Sequence, residues 1–248
     1  MPNIQFASRT EAGLLRPDNQ DCVYAAQTPG YVLFAVADGM GGHNGGQVAS
    51  SVAIEQLVAS IAQSHADGQD PIDTVRIGIA AANRAVYHMA QENDALFGMG
   101  STLSLMYGAA GQWVTGHVGD SRIYRLHQNH FLKVTSDHTM VQEMVEKGEI
   151  TEEESRVHPH RNWLRRAVGI DVWVKADLSS FDIDTQDRWL ICSDGITTHV
   201  SDEEIAHTMQ LQLPVQAACD ALAELCLARG ARDNLSIVYI APPPTVIG

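Results

Sequence analysis

Val32-Leu33-Phe34-Ala35-Val36-Ala37-Asp38-Gly39 is the stretch that decides the fold. An uninterrupted apolar run of this length reads as a strand buried on both faces. It ends on a carboxylate. The pattern recurs in His117-Val118-Gly119-Asp120 and in Trp189-Leu190-Ile191-Cys192-Ser193-Asp194-Gly195, and Asp233 stands just before Leu235-Ser236-Ile237-Val238-Tyr239-Ile240. A carboxylate at a strand end is carried by a rigid element and can point into a shared cleft. Four carboxylates together repel one another and are costly to desolvate unless a cation sits between them. Oxygen ligands without thiolates or imidazoles select hard divalent ions such as Mg²⁺ or Mn²⁺. The chain reads as a metal-dependent enzyme.

Working outward, residues 4–9, 21–26 and 31–37 read as strands. A long helix is predicted at about 45–63, with Ile54, Leu57, Val58 and Ile61 at i, i+3, i+4, i+7. Asp70-Pro71 opens a second, an N-cap followed by proline at the first helical position, carrying Ile72, Val75, Ile79, Val86 and Met89 on one face. Strands recur at 101–107, 112–118, 121–126 and 130–134. Their short connections, Gly108 to Gly111, Gly119-Asp120 and Gln128-Asn129, favour antiparallel neighbours. The segment from about 138 to 170 differs, with a short helix near 138–147, a capping box at Thr151–Glu154 and a His/Arg/Pro-rich loop from Val157 to Arg166. It reads as an insertion beside a site. Strands resume at 172–183 and 188–193. Ser201–Glu204 is another capping box. The last helix buries Val215, Ala218, Cys219, Leu222, Leu225 and Cys226 and stops at Gly230. A strand at 235–240 closes the chain. The class is α+β, with antiparallel sheets covered by helix pairs.

The 248 residues fit one domain with a sizeable core. The formal net charge of −14 argues against a nucleic-acid surface, which needs a basic patch, and against an anionic membrane. The four cysteines, Cys22, Cys192, Cys219 and Cys226, show no C-x-x-C spacing and read as buried free thiols. The N-terminal stretch lacks a basic region followed by an apolar one, and no apolar stretch is long enough to span a bilayer. The expected setting is a reducing cytoplasm.

Each Asp-Gly or Gly-Asp pair is by itself a common turn dipeptide. Their order is what carries information. Arg16-Pro17-Asp18-Asn19-Gln20-Asp21 comes first, then Ala37-Asp38-Gly39-Met40-Gly41-Gly42-His43, Gly119-Asp120-Ser121-Arg122, Ser193-Asp194-Gly195 and Asp233-Asn234. This series, from about residue 4 to 240, resembles the type 2C protein phosphatases, metal-dependent serine/threonine phosphatases, in their compact bacterial form. The resemblance implies an α-β-β-α sandwich of two antiparallel sheets flanked by helix pairs, as one domain over 1–248 with a flap at about 138–170. It implies that Asp38 bridges two Mn²⁺ or Mg²⁺ ions. Asp194 and Asp233 would complete the first metal's shell, and the Gly39 carbonyl would bind the second, whose water shell Asp21 would hold. Asp120 with Asp194 matches a weaker third site. Arg16 matches the residue that grips the substrate phosphate. Two divalent ions about 3.5–4 Å apart share one hydroxide, which attacks phosphorus in line, while a guanidinium takes up the charge growing on the equatorial oxygens.

Two positions depart from the family pattern. Some members place histidine directly after Asp-Gly. Here that position is Met40 and the histidine is His43, which either assists catalysis or packs at the next helix. Gln20 stands where many members have glutamate, leaving an amide without the charge. His138 is expected to cap the flap helix, and Arg122 to be an internal salt-bridge partner. His158, His160, Arg161, Arg165 and Arg166 either read an acidic phosphosubstrate or form surface ion pairs. Trp113 and Trp189 read as packing. The expected partners are phosphoproteins made by a bacterial serine/threonine kinase, and the expected state is a monomer. A phosphatase-like binding module with little turnover, and a phosphatase for small phosphate esters, stay open as alternatives.

Overall fold

The computed structural model describes residues 4–42, 44–184 and 186–242. In chain order the elements are β1 Gln5–Glu11, β2 Asp21–Gln27, β3 Val32–Met40, α1 Gly45–Ala66, α2 Pro71–Glu92, β4 Gly100–Ser101, β5 Leu103–Ala109, β6 Gln112–Val118, β7 Arg122–His127 and β8 His130–Lys133. Next come α3 Met140–Glu146, α4 Glu152–Val157, β9 Asp177–Asp182, β10 Arg188–Cys192, α5 Asp194–Thr197, α6 Asp202–Gln210, α7 Val215–Ala228 and β11 Leu235–Ala241.

The strands form two antiparallel sheets. One runs β1-β11-β10-β7-β8, the other β2-β3-β5-β6-β9, with β4 also paired to β3. The opening stretch explains the layering. Leu33, Ala35 and Ala37 of β3 face one way and join a core with α1 and α2. Val32, Phe34 and Val36 face the other way and meet Trp189, Ile191, Val238 and Ile240 of the second sheet. That sheet's far face packs on α5, α6 and α7 through Ile196, Ile205, Ala218 and Leu222. A strand pleat sends alternate side chains to opposite faces, so a run apolar at every position is what a strand between two cores requires. The layers are therefore helix pair, sheet, sheet, helices, as the resemblance implied.

The helix starts follow their sequence signals. Asp70 accepts from the Ile72 N–H ahead of Pro71. Thr151–Glu154 and Ser201–Glu204 are both complete capping boxes. Gly230 ends α7 at φ +101°. Met89 is exposed instead of sharing the α2 core face, which Thr74, Gly78 and Ala82 fill.

Two expectations fail for one reason. The Gly119-Asp120 link does not make a hairpin, because β6 and β7 lie in different sheets. Gly119 has φ +109°, and a Cβ there would fall 2.6 Å from the Thr102 side chain, so only glycine turns the chain across the sandwich here. Because β6 ends at that crossing, its ladder with β9 starts at the His117–Asp177 pair. Among the described residues, 172–176 have no partner strand, and the strand expected at 172–183 is confined to 177–182, with Val172 and Trp173 exposed.

Candidate active site

The sandwich brings the singled-out residues to one end. Asp21 opens β2 directly opposite Asp38 on β3. Asp120 sits in the crossing between the sheets, Asp194 follows β10, and Asp233 precedes β11. A cleft of about 270 Å³ is lined by Arg16, Asp38, Gly39, Asp120, Asp194 and Asp233, together with Gln20, Thr102, Asn162 and Asn234. Asp21 is not at its surface. It is buried beneath, where one carboxylate oxygen accepts from Ser193 Oγ at 2.7 Å and the other has no partner among the described residues. His43 lies outside the described residues.

The backbone around Asp38 is fixed on both sides. Its N–H donates to Thr102 Oγ1 at 2.9 Å, and its carbonyl accepts from the Thr102 N–H and from Ser101 Oγ. Gly39 is wedged in, since a Cβ there would meet the Gly46 carbonyl oxygen at 1.9 Å and the Gln20 carbonyl oxygen at 2.7 Å. On the rim, Arg16 Nη2 pairs with Asp233 Oδ2 at 2.8 Å. Asn234 holds the Arg16 loop. Its amide donates to the carbonyls of Ala12 and Asp18 at 2.9 Å each, and its oxygen accepts from the Gln20 N–H at 2.8 Å.

The electrostatics test whether a cation fits. Burial, then repulsion from Asp21, Asp194, Asp120 and Asp233, pushes the Asp38 carboxyl well above its ordinary range. Burial, then Asp194, does the same to Asp120, and burial, then Asp233, raises Asp194. Burial pushes Asp21 up to about 7. Asp194 is thus among the charges that make Asp38 costly to ionise. An all-oxygen donor set, a carboxylate oxygen left without a partner and mutual repulsion together fit divalent cations.

The flap, between β8 and β9, borders this cleft. Its Thr139 bridges to Leu164, and Val168 pairs with Ser101 beside Asp38. Its α4 walls a larger groove of about 710 Å³ that shares Asp120, Asn162 and Asp194 with the cleft. Thr139, not His138, caps α3. Arg165 pairs with Glu143 and Arg166 with Asp177, so neither is a free cation, whereas Arg161 lines the groove. Arg122 is held by Asp137 at 2.7 Å, and Trp113 and Trp189 are buried in the core. Elsewhere, His127, Asp184 and Asp187 bring their ligand atoms within 4.8 Å of one another. The Asp187 carboxylate there is already taken by Arg125 at 2.6 Å and His127 at 2.7 Å, an ion-pair cluster.

Sequence reasoning missed Asn162 and the bracing by Asn234. Asn162 sits in the Arg161-Asn162 pair of the loop read only as charged, and Asn234 follows a ligand candidate. A single asparagine gives no periodic signal, so Asn234 is revealed by its hydrogen bonds and Asn162 by its place in the wall of the cleft.

The family model for "Protein phosphatase 2C" matches residues 12–236. The chain belongs to the protein phosphatase 2C family. It is 36% identical over 240 residues to the serine/threonine protein phosphatase PstP of Mycobacterium tuberculosis, covering 95% of this chain and 44% of that protein. This phosphatase-family chain therefore spans about half the length of that relative. The crystal structure of PstP/Ppp from M. tuberculosis superposes with a TM-score of 0.87 at 35% identity, covering 97% of this chain and 99% of that one. The catalytic domain of PstP in complex with two manganese ions superposes at 0.82 and 34% identity, covering 96% and 97%. Among the described residues, no helix is long and apolar enough to cross a membrane.

Proposed function

We propose that this chain is a metal-dependent protein phosphatase that hydrolyses phosphoserine and phosphothreonine. The observation that carries it is the cleft itself, where four aspartates, a glycine wedged against the neighbouring backbone and one rim arginine converge, with Asp21 buried beneath. Family membership and the two manganese ions held by the PstP catalytic domain support the same reading.

Asp38 would bridge two Mn²⁺ or Mg²⁺ ions, with Asp194 and Asp233 on the first, the Gly39 carbonyl on the second, and Asp120 with Asp194 at a third. Asp21, one layer below, would order the water around the second. When bound, the ions supply charge neutralisation and a water acidic enough to act as nucleophile near neutral pH. Arg16 receives the phosphate, which draws its half-exposed guanidinium off Asp233. The bonds to the Asp38 backbone from the neighbouring β4–β5 stretch of its own sheet hold its carboxylate still, so no reorganisation accompanies the reaction. Attack by water forms one P–O bond as the bond to the serine or threonine oxygen breaks, and that oxygen takes up a proton. His43 is the proposed donor. The flap walls the groove through which the rest of the phosphoprotein lies.

The substrates would be phosphoproteins made by a serine/threonine kinase, met by a monomer in the cytoplasm. The four free cysteines suit such a compartment. The test is phosphate release from a phosphothreonine peptide by metal-stripped protein, with and without Mn²⁺, beside Asp194→Asn. Release that needs Mn²⁺ and vanishes in the variant supports the reading. No release from well-folded protein under any metal would replace it with a regulatory phosphoprotein-binding module.

A further inference from the structure

The crossing that carries Asp120 is gripped by a histidine that lines neither cavity. His138 is buried, although its neighbours Asp137 and Thr139 both line the larger groove. Its backbone N–H donates to the Gly119 carbonyl at 2.7 Å. The Gly119 N–H donates back to the ring at Nδ1, at 3.1 Å. This second bond requires Nδ1 to be without a proton. The ring proton is therefore on Nε2, which donates to Asp177 Oδ2 at 3.0 Å. Burial also lowers the affinity of His138 for a second proton, in keeping with a neutral ring. The other oxygen of Asp177 accepts from Arg166 Nη1 at 2.7 Å, and the His138 carbonyl accepts from the Arg165 N–H at 2.7 Å.

One side chain thus joins three things. These are the Val118–Gly119 peptide at the crossing, the entrance of the flap at 138, and its exit at 166 through Asp177. Gly119 has no side chain with which to brace the turn itself, and it sits at a positive φ. A histidine whose one nitrogen accepts from a backbone N–H and whose other is fixed by a carboxylate is held in orientation, the arrangement that positions ligands indirectly in metal sites.

We propose that His138 is a positioning residue for Asp120, fixing the Val118–Gly119 peptide, and with it the turn at Gly119, through Nδ1 and coupling it to the flap through Nε2. This rests on the reading of Asp120 as a ligand of the weaker metal. His138 touches neither substrate nor metal in this scheme. It acts on the carboxylate through the backbone of Gly119.

Two conservative variants separate positioning from mere packing. In asparagine the amide oxygen lies close to where Nδ1 was and still accepts from Gly119. In glutamine the amide nitrogen lies close to where Nε2 was and still donates to Asp177, leaving Gly119 without its acceptor. Mn²⁺ binding would be titrated calorimetrically on wild type, His138→Asn, His138→Gln, Asp177→Ala and Asp120→Asn, with Tm recorded for each. The Asp120→Asn control should lose the weaker Mn²⁺ site. His138→Gln should weaken that site at least about tenfold, and His138→Asn should stay within about threefold of wild type. Asp177→Ala removes a half-exposed carboxylate and should fold even if His138→Gln does not. It releases the ring tautomer and should weaken the same site. Unchanged Mn²⁺ binding in His138→Gln and Asp177→Ala would overturn the proposal, as would equal losses in the asparagine and glutamine variants that track Tm. Unchanged binding in Asp120→Asn would overturn it at a different point, by removing Asp120 from the metal shell.

Discussion

Arg16 Nη2 lies 2.8 Å from Asp233 Oδ2, so the cation on the cleft rim is parked on a carboxylate assigned to the first metal. Both side chains are about half exposed, at 51% and 40%, and an ion pair this wet is held weakly. It is strong enough to aim the guanidinium and weak enough to yield to a phosphate dianion. Arg16→Ala should therefore raise KM about tenfold or more while lowering kcat less, and Arg16→Lys should restore only part of the loss, because an ammonium cannot make the two-pronged contact. Steady-state kinetics on a phosphothreonine peptide decides this. An unchanged KM removes Arg16 as the phosphate clamp.

The clustered carboxylates strain the metal-free protein. Asp194 is raised by burial and then by Asp233. Asp194→Asn removes a repelling charge and keeps the shape. Its metal-free Tm at pH 7.5 should exceed that of wild type by a few degrees, and the gain on adding Mn²⁺ should shrink. Thermal scans with chelator and with Mn²⁺ test both halves. A lower metal-free Tm in the variant would mean that the carboxylates are not in conflict.

Gly119 makes the crossing possible. Alanine there would hold φ +109° against its own preference and press on Thr102. Gly119→Ala should cost about 2–4 kcal/mol of stability by denaturant titration and lower activity, since the strain falls on the Asp120 turn. A cost within experimental error would contradict the tight turn.

The helix caps and the double-faced β3 strand were legible because each rests on local chemistry that the sequence displays directly, such as Thr151 with Glu154 or six apolar residues before Asp38. The four aspartates Asp38, Asp120, Asp194 and Asp233 were legible as a set because each stands at one end of an apolar run. The β6–β7 crossing was not, since Gly119-Asp120 is also a good two-residue hairpin link and only Thr102, seventeen positions away, decides between them. The short β9 follows from that same distant choice. His138 looked like a cap by position, but Thr139 has the side chain that reaches the Gln142 N–H, while the ring turns inward to Gly119 and Asp177.

His117 should make the fold acid-sensitive. Burial, then the neighbouring His138, pushes its pKa down to about 3 from an ordinary 6.5. Below pH 6.5 the unfolded chain takes a proton that the folded ring refuses, so this contribution to stability falls as pH drops from about 6.5 towards 3 and is absent above that window. Asp21, raised to about 7, changes in the opposite sense over part of the same range. The useful quantity is therefore the difference between wild type and His117→Asn. Urea midpoints at pH 7 and pH 5 should fall more steeply for wild type. Parallel slopes would show that the buried ring is not the cause.

Asp38 is the one residue that every part of the site converges on, with its backbone pinned by Ser101 and Thr102 and its carboxyl facing Asp21, Asp120, Asp194 and Asp233. The most direct measurement is turnover of a phosphothreonine peptide by Asp38→Asn in saturating Mn²⁺, with Tm recorded on the same sample. The expected result is a loss of at least about a thousandfold in kcat/KM, some 4 kcal/mol of transition-state stabilisation, in a protein as stable as wild type without metal. Turnover within a few-fold of wild type from that folded variant would contradict the metal-bridging role of Asp38 and the phosphatase mechanism built on it.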